Sequence, residues 1–246
     1  MPRIPRQCPA FATRRRSGSL PWVAAILLSA APAAAEQVWS THVFGLKVGE
    51  FRMSVETRDA TYRGSGLFRT VGLADLLRHV AFSVSGDGRV RNGRLLPERY
   101  RGRINTGRRE SETELAMSGT LPRKVAGNGE PAVPIPPPIL KGSRDPFAIL
   151  AEILLDRDGE TPCTFQEKVF DGTRVAEITL MTEDRDGDVV VCSGSYTRIG
   201  GYSQDELDEM TVSPISVTYS GQSGAWRAER IDAVTRQGKA TLIRRE

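Results

Sequence analysis

The feature that most constrains the fold is a two-residue alternation of apolar and polar side chains, repeatedly broken by short turn pairs. In Phe51-Arg52-Met53-Ser54-Val55-Glu56 and again in Ile215-Ser216-Val217-Thr218-Tyr219, the apolar residues fall on one side of an extended chain. Further strands are expected at Val38–Phe44, Thr61–Thr70, Ala81–Ser85, Tyr100–Ile104, Thr113–Met117, Thr164–Phe170, Arg174–Thr182, Val189–Arg198, Trp226–Val234 and Ala240–Ile243. Between them stand Asp87-Gly88, Asn92-Gly93, Asp171-Gly172, Asp186-Gly187 and Gln237-Gly238. Gly, Asn and Asp accept the positive φ of tight hairpin turns, so consecutive strands should pair as antiparallel neighbours. The expected fold class is all-β and mainly antiparallel.

One stretch departs from this pattern. Pro131, Pro134, Pro136, Pro137 and Pro138 cannot donate ladder hydrogen bonds, so Gly127–Lys141 is expected to be an extended, polyproline-like crossover. Asp145 can then cap a helix beginning at Pro146, whose Phe147, Ile149, Leu150, Ile153 and Leu154 form an apolar stripe. A single central helix, about 146–155, is expected to plug or cover the sheet, and Leu73–Arg78 has room for a second, single-turn helix.

Charge is informative once it is divided. The 246 residues carry 34 Lys plus Arg against 30 Asp plus Glu, a formal +4. The first 35 hold five arginines and no acid, followed by an apolar stretch Trp22–Ala31 and the small residues Ala33-Ala34-Ala35. That is the layout of an export signal, expected to be removed after Ala35; the apolar run is well short of the ~20 residues of a bilayer span. The remainder, 36–246, is expected to be a single β-rich periplasmic domain of net −1 with no transmembrane segment, a poor match for nucleic acid. It divides into a Glu36–Arg144 part with 18 basic and 11 acidic residues and an Asp145–Glu246 part with 11 and 19.

Export places the two cysteines that remain, Cys163 and Cys192, in an oxidising compartment, where a disulfide between them is expected. There is no Cys-x-x-Cys, and only His42 and His79 are available to complete a zinc site, so no metal is expected. Arginine concentrates between Arg89 and Arg109, where Arg99, Arg101 and Arg103 would project from one strand face. Such a row can pair with phosphates or uronic acids as an anion-binding site, or be a solvated or salt-bridged face.

Catalytic sets are sparse. Gly221-Gln222-Ser223-Gly224-Ala225 ends in Ala where a nucleophile elbow has its second glycine, and it lies between two strands as an ordinary hairpin would. Asp184-Arg185-Asp186-Gly187-Asp188 and Asp205-Glu206-Leu207-Asp208-Glu209 have the look of exposed turns; the first lacks the glycine and glutamate positions of a calcium loop. Neither a phosphate-cradling glycine loop nor a dinucleotide fingerprint is present, and no cofactor is expected. Carboxylates such as Asp171, Glu183 and Asp184 keep open an acid–base reaction on envelope polysaccharide, which needs two of them in one cleft.

In order, Phe44-Gly45-Leu46-Lys47-Val48-Gly49, Thr70-Val71-Gly72-Leu73, Leu96-Pro97-Glu98-Arg99-Tyr100, Asp145-Pro146, Phe170-Asp171-Gly172-Thr173-Arg174 and Tyr196-Thr197-Arg198-Ile199-Gly200-Gly201-Tyr202 make the chain resemble the domain of unknown function 3108 family of exported proteobacterial proteins. The resemblance runs from about Val38 to Ile243, and the Pro131–Pro138 insert is longer than the linker expected there. It implies a periplasmic, barrel-like or spiral sheet and brings no catalytic residues. The expectation is a non-catalytic envelope protein that binds a lipid, glycan or periplasmic protein on a curved, open sheet, or serves as a scaffold. The alternative is a hydrolase or lyase acting through paired carboxylates.

Overall fold

The computed structural model describes residues 36–245 apart from 223 and 237, together with the backbone but not the side chain of Gln222. The expected export signal and the central Ser223 of the elbow-like stretch lie outside the described residues. The strands are β1 (Glu36–Val43), β2 (Leu46–Arg58), β3 (Thr61–Thr70), β4 (Ala81–Arg91), β5 (Arg94–Asn105), β6 (Glu110–Ala116), β7 (Arg123–Gly127), β8 (Arg157–Asp158), β9 (Phe165–Phe170), β10 (Val175–Asp186), β11 (Val189–Gly200), β12 (Val212–Gln222), β13 (Ala225–Thr235) and β14 (Gly238–Arg245). The helices are α1 (Leu73–Leu77), α2 (Pro137–Leu140), α3 (Pro146–Leu154) and α4 (Gln204–Glu209).

All named strands join one antiparallel sheet in the order β7-β6-β5-β4-β3-β2-β1-β14-β13-β12-β11-β10-β9, with β8 added beside β13. Two meanders are therefore sewn together where the first and last strands pair, Val38 opposite Arg245 and Val43 opposite Ala240. The sheet curves without closing: β7 and β9 are its edges. The all-β, antiparallel expectation holds, and the curl has a physical centre. Helix α3 touches β3, β4, β5, β9 and β13, which belong to both meanders. Phe147, Ala148, Ile149, Ala151, Ile153 and Leu154 are buried, as befits a helix apolar on nearly all sides.

Small residues make room for this plug. Gly64 of β3 and Gly86 of β4 face each other across the ladder, and a Cβ on either would collide with the Phe147 ring. Trp39, Phe51, Met53, Leu180, Val190, Val217 and Tyr219 complete the buried interior. At the entry to α3, Asp145 accepts a hydrogen bond from the Ala148 amide at 2.9 Å, and Pro146 takes the first helical position. This is the N-cap arrangement that the sequence announces.

Three expectations need correction. Asp87-Gly88 is not a turn; it lies inside β4 at a bulge, and β4 runs on to Arg91 before turning at Asn92-Gly93. The glycine is required there because a Cβ would strike the backbone of Leu96 and Glu98 on β5. The crossover is not extended throughout: Pro137–Leu140 make one helical turn, for which proline's preset φ suits the first positions. The acidic run Asp205–Glu209 is helical, closed by a capping box between Ser203 and Glu206. No helix among the described residues is long and apolar enough to cross a membrane.

Candidate functional site

The most developed site lies at the seam of the unclosed sheet. Strand β6 pairs with β5 only from Arg99 to Asn105, which leaves the start of β5 bare at Leu95. Across the gap, residue 144 lies along β9 as a parallel bridge: its amide donates to Lys168 O at 2.8 Å, and its carbonyl accepts from the Phe170 amide at 2.8 Å. The two edges are joined by side chains. Glu152 Oε1 accepts from the Leu95 amide at 2.7 Å, and the Arg144 guanidinium donates to the Leu95 carbonyl. Arg144 also grips Glu152 with Nη1 at 2.7 Å and Nη2 at 2.6 Å, and stands 3.7 Å from Glu167, which Arg94 contacts from outside. Burial works to lower the Arg144 pKa, but the Glu152 hydrogen bonds and the charges of Glu152 and Glu167 outweigh it and hold the guanidinium above its usual value.

Beside this suture opens a cleft of about 740 Å³ walled by the β4–β5 turn, the end of α3 and the outer edge of β9. Leu95, Leu155, Phe165 and Met181 supply apolar lining; Arg94, Glu152, Asp156, Arg157 and Glu167 supply charge. Arg157 is held over the Tyr219 ring at 5.3 Å and donates to the Pro162 carbonyl at 3.2 Å. The expected disulfide is formed: Cys163 and Cys192 are bonded, with Cα atoms 4.9 Å apart. It ties the segment just before Thr164 and Phe165, both cleft residues, to β11.

A second pocket, about 550 Å³, opens at the other end of the sheet. Here two of the quoted motifs converge, because Asp171 and Arg174 from one and Tyr196, Arg198 and Tyr202 from the other all line it. The guanidinium groups of Arg174 and Arg198 stand 5.4 and 5.2 Å from the centre of the Tyr202 ring, and the Tyr196 and Tyr202 hydroxyls are 3.0 Å apart. Glu206 of α4 pairs with Arg174 at 2.6 Å. The guanidinium charge in this pocket is thus largely answered from within.

Arg99, Arg101 and Arg103 share the outer face of β5, as alternation requires, and each meets a carboxylate on a neighbouring strand: Asp87 on β4 at 2.8 Å, Glu114 on β6 at 3.2 Å and Glu112 on β6. Hydrogen bonding to Asp87 raises the Arg99 pKa. The partners come from the same basic half of the chain, not from the acidic half. The carboxylates considered for acid–base chemistry do not share a cleft. Asp171 sits in the turn before β10, accepting from the Thr173 and Arg174 amides, while Glu183 and Asp184 are near the far end of that strand. At about 3.4 Å rise per residue this is a separation on the order of 25 Å, against the roughly 5–10 Å that glycosidic chemistry needs. Glu183 is also engaged by Thr161 and Arg185, whose hydrogen bonds lower its pKa. His79 contacts Asp75 at 2.7 Å on the surface, and His42 Nδ1 is buried without a hydrogen-bond partner among the described residues. Among the described residues no group of three or more His, Cys, Asp or Glu could hold a metal ion.

Sequence reasoning does not find Arg144, Glu152 or Glu167, which lie on different elements. The local signal is that Glu152 is the one charged residue within the otherwise apolar α3, with the oppositely charged Arg144 just before its cap.

No protein-family model matches the chain, and no curated protein matches it. Among solved structures it is similar to a beta-barrel-like protein of domain of unknown function DUF1849 from Brucella abortus, at 10% identity and a TM-score of 0.49, over 86% of this chain and 95% of that one.

Proposed function

We propose that the protein is an exported, periplasmic binding or scaffold protein of the cell envelope, related to the domain of unknown function 3108 family, that acts without catalysis and holds an amphiphilic partner in the seam cleft. The observation that carries this reading is the cleft itself: about 740 Å³, lined by both apolar and charged side chains, beside the suture between the start of β5 and β9, which do not pair with each other. A lipid, a glycan or an extended protein segment meets such a surface with both its apolar and its polar parts. The disulfide adds support for an oxidising compartment and holds the cleft wall in place.

Native mass spectrometry of protein purified from the envelope fraction, followed by solvent extraction, tests the reading. A bound adduct is expected, and it should be lost when Met181→Trp fills the cleft. Protein that carries no adduct, with an unaltered envelope in a deletion strain, would count against it.

A further inference from the structure

Apart from the seam, one end of the sheet carries an apolar surface that the fold does not use. The register places four connections there, because Ala240 lies opposite Val43, Val43 opposite Leu46, Gly49 opposite Thr70, Arg69 opposite Ala81, Ala81 opposite Asn105 and Asn105 opposite Glu110. The β1–β2 turn presents Phe44 and Leu46, and α1 presents Leu73, Leu76 and Leu77; these five side chains are between 73% and 88% exposed. Leu73, Leu76 and Leu77 stand three and four residues apart, on one face of the single turn. The Val71 amide bonds the Val48 carbonyl at 3.0 Å, two residues from Leu73 on one side and two from Leu46 on the other, so the apolar positions are neighbours.

Phe44 sharpens the point. It occupies a left-handed backbone position at φ 50°, followed by Gly45 at φ 79°. Asn, Asp or Gly would take that position at less cost, and a bulky residue there is unusual. Its ring lies across Gly238 and is still mostly in solvent.

The rim is basic. The four connections, residues 44–47, 69–80, 105–110 and 234–239, hold Lys47, Arg69, Arg78, Arg108, Arg109, Arg236 and Lys239 against Asp75 and Glu110, a net of +5. Beyond Arg236 the rim turns acidic at α4, where Glu209 pairs with Arg236 at 2.6 Å. Lys47 and Lys239 face Glu50 and Asp232 at 4.0 and 3.4 Å, so the basic sector rests on Arg69, Arg78, Arg108 and Arg109 of the β3–β4 and β5–β6 connections, beside the apolar tips. Apolar tips that dip to the depth of the acyl boundary, flanked by guanidinium groups at headgroup height, are complementary to an anionic bilayer surface.

We propose that this end of the molecule is a membrane-docking surface that inserts Phe44, Leu46, Leu73, Leu76 and Leu77 among anionic phospholipids. It is independent of what the seam cleft binds. The test is flotation of protein starting at Glu36 with phosphatidylcholine vesicles prepared with and without phosphatidylglycerol. The protein is expected to float with the anionic vesicles. Leu73→Ser/Leu76→Ser/Leu77→Ser should lower binding roughly tenfold or more, since such a change needs only about 1.4 kcal/mol of lost partitioning. Arg108→Glu/Arg109→Glu should remove the preference for phosphatidylglycerol. Leu76→Trp gives a second readout, a blue-shifted emission on vesicle addition. Failure to float with either vesicle, or equal flotation of the triple variant, overturns the proposal. So does a dimer in light scattering that the triple variant dissolves while vesicles are ignored, because the patch would then be an interface between copies of this chain.

Discussion

Asp145 shows how much a single residue can carry. It caps α3 with Oδ1, is fully buried, and its Oδ2 has no hydrogen-bond partner among the described residues. Burial pushes its carboxyl up to about 6, although the Ala148 and Phe147 amides and the Arg144 charge pull the other way. The folded state thus holds a proton that the unfolded chain, with a carboxyl near its ordinary value, has released. Linkage makes this contribution to stability complete below about pH 4 and lost as pH rises through about 6. Asp145→Asn keeps a good N-cap without the buried charge. It should flatten the stability profile between pH 4 and 6 and raise stability at pH 7 by about 1–2 kcal/mol, measured by urea denaturation across pH. A variant less stable than wild type at pH 7 would show that the carboxylate is better accommodated than its surroundings imply. Gly64→Val, in contrast, forces a side chain into the Phe147 ring and should cost about 1–3 kcal/mol by the same measurement. The cap was legible in the sequence because capping is local; the shifted carboxyl was not, because strands distant in sequence make the burial.

At the scale of elements, the seam suture replaces a missing strand pairing. Arg144 and Glu152 satisfy both the amide and the carbonyl of Leu95 and neutralise each other in a buried setting. Glu152→Ala strips the Leu95 amide of its acceptor and leaves the buried guanidinium with only the more distant Glu167 as counter-charge, and should cost about 3–5 kcal/mol. The double replacement Arg144→Met/Glu152→Leu removes both charges, yet it still leaves two bare backbone groups, so a loss of about 1–3 kcal/mol should persist. Hydrogen exchange at the Leu95 amide checks the suture directly: it should accelerate in both variants, and unchanged protection would mean that another group covers the edge. Alternation and turn pairs were enough to find most strands, because each strand declares its inner face. Strand β7, with one residue of five partly buried, and the two-residue β8 offer no alternation to detect. Asp87-Gly88 resembles a turn because a bulge and a turn both call for glycine, and only the partner strand decides between them. The helical state of α4 was present in the sequence as Ser203-x-x-Glu206, whereas its acidic surface suggested a loop.

For the whole molecule, the disulfide joins residues 29 apart, and in the chain-entropy model a loop of this size is worth about 3–4 kcal/mol. Cys163→Ser/Cys192→Ser should therefore lower Tm by roughly 10 °C, read by calorimetry, and loosen the cleft wall before the rest of the sheet. The sequence by itself determined the inner and outer faces of the strands, most hairpins, the capped helix and the pairing of the cysteines, since these depend on neighbours within a few residues or on which thiols are present. Tertiary structure alone decided that β1 and β14 join the two meanders, that the sheet stops short of closure, and that Arg144 and Glu152 span the gap. It also decided that Arg99, Arg101 and Arg103 find Asp87, Glu114 and Glu112 rather than the acidic half of the chain. The physical reason is register: alternation repeats every two residues and tells which side a residue faces, but not which residue of a distant strand stands opposite. That choice is made by the curl of the sheet around a buried helix.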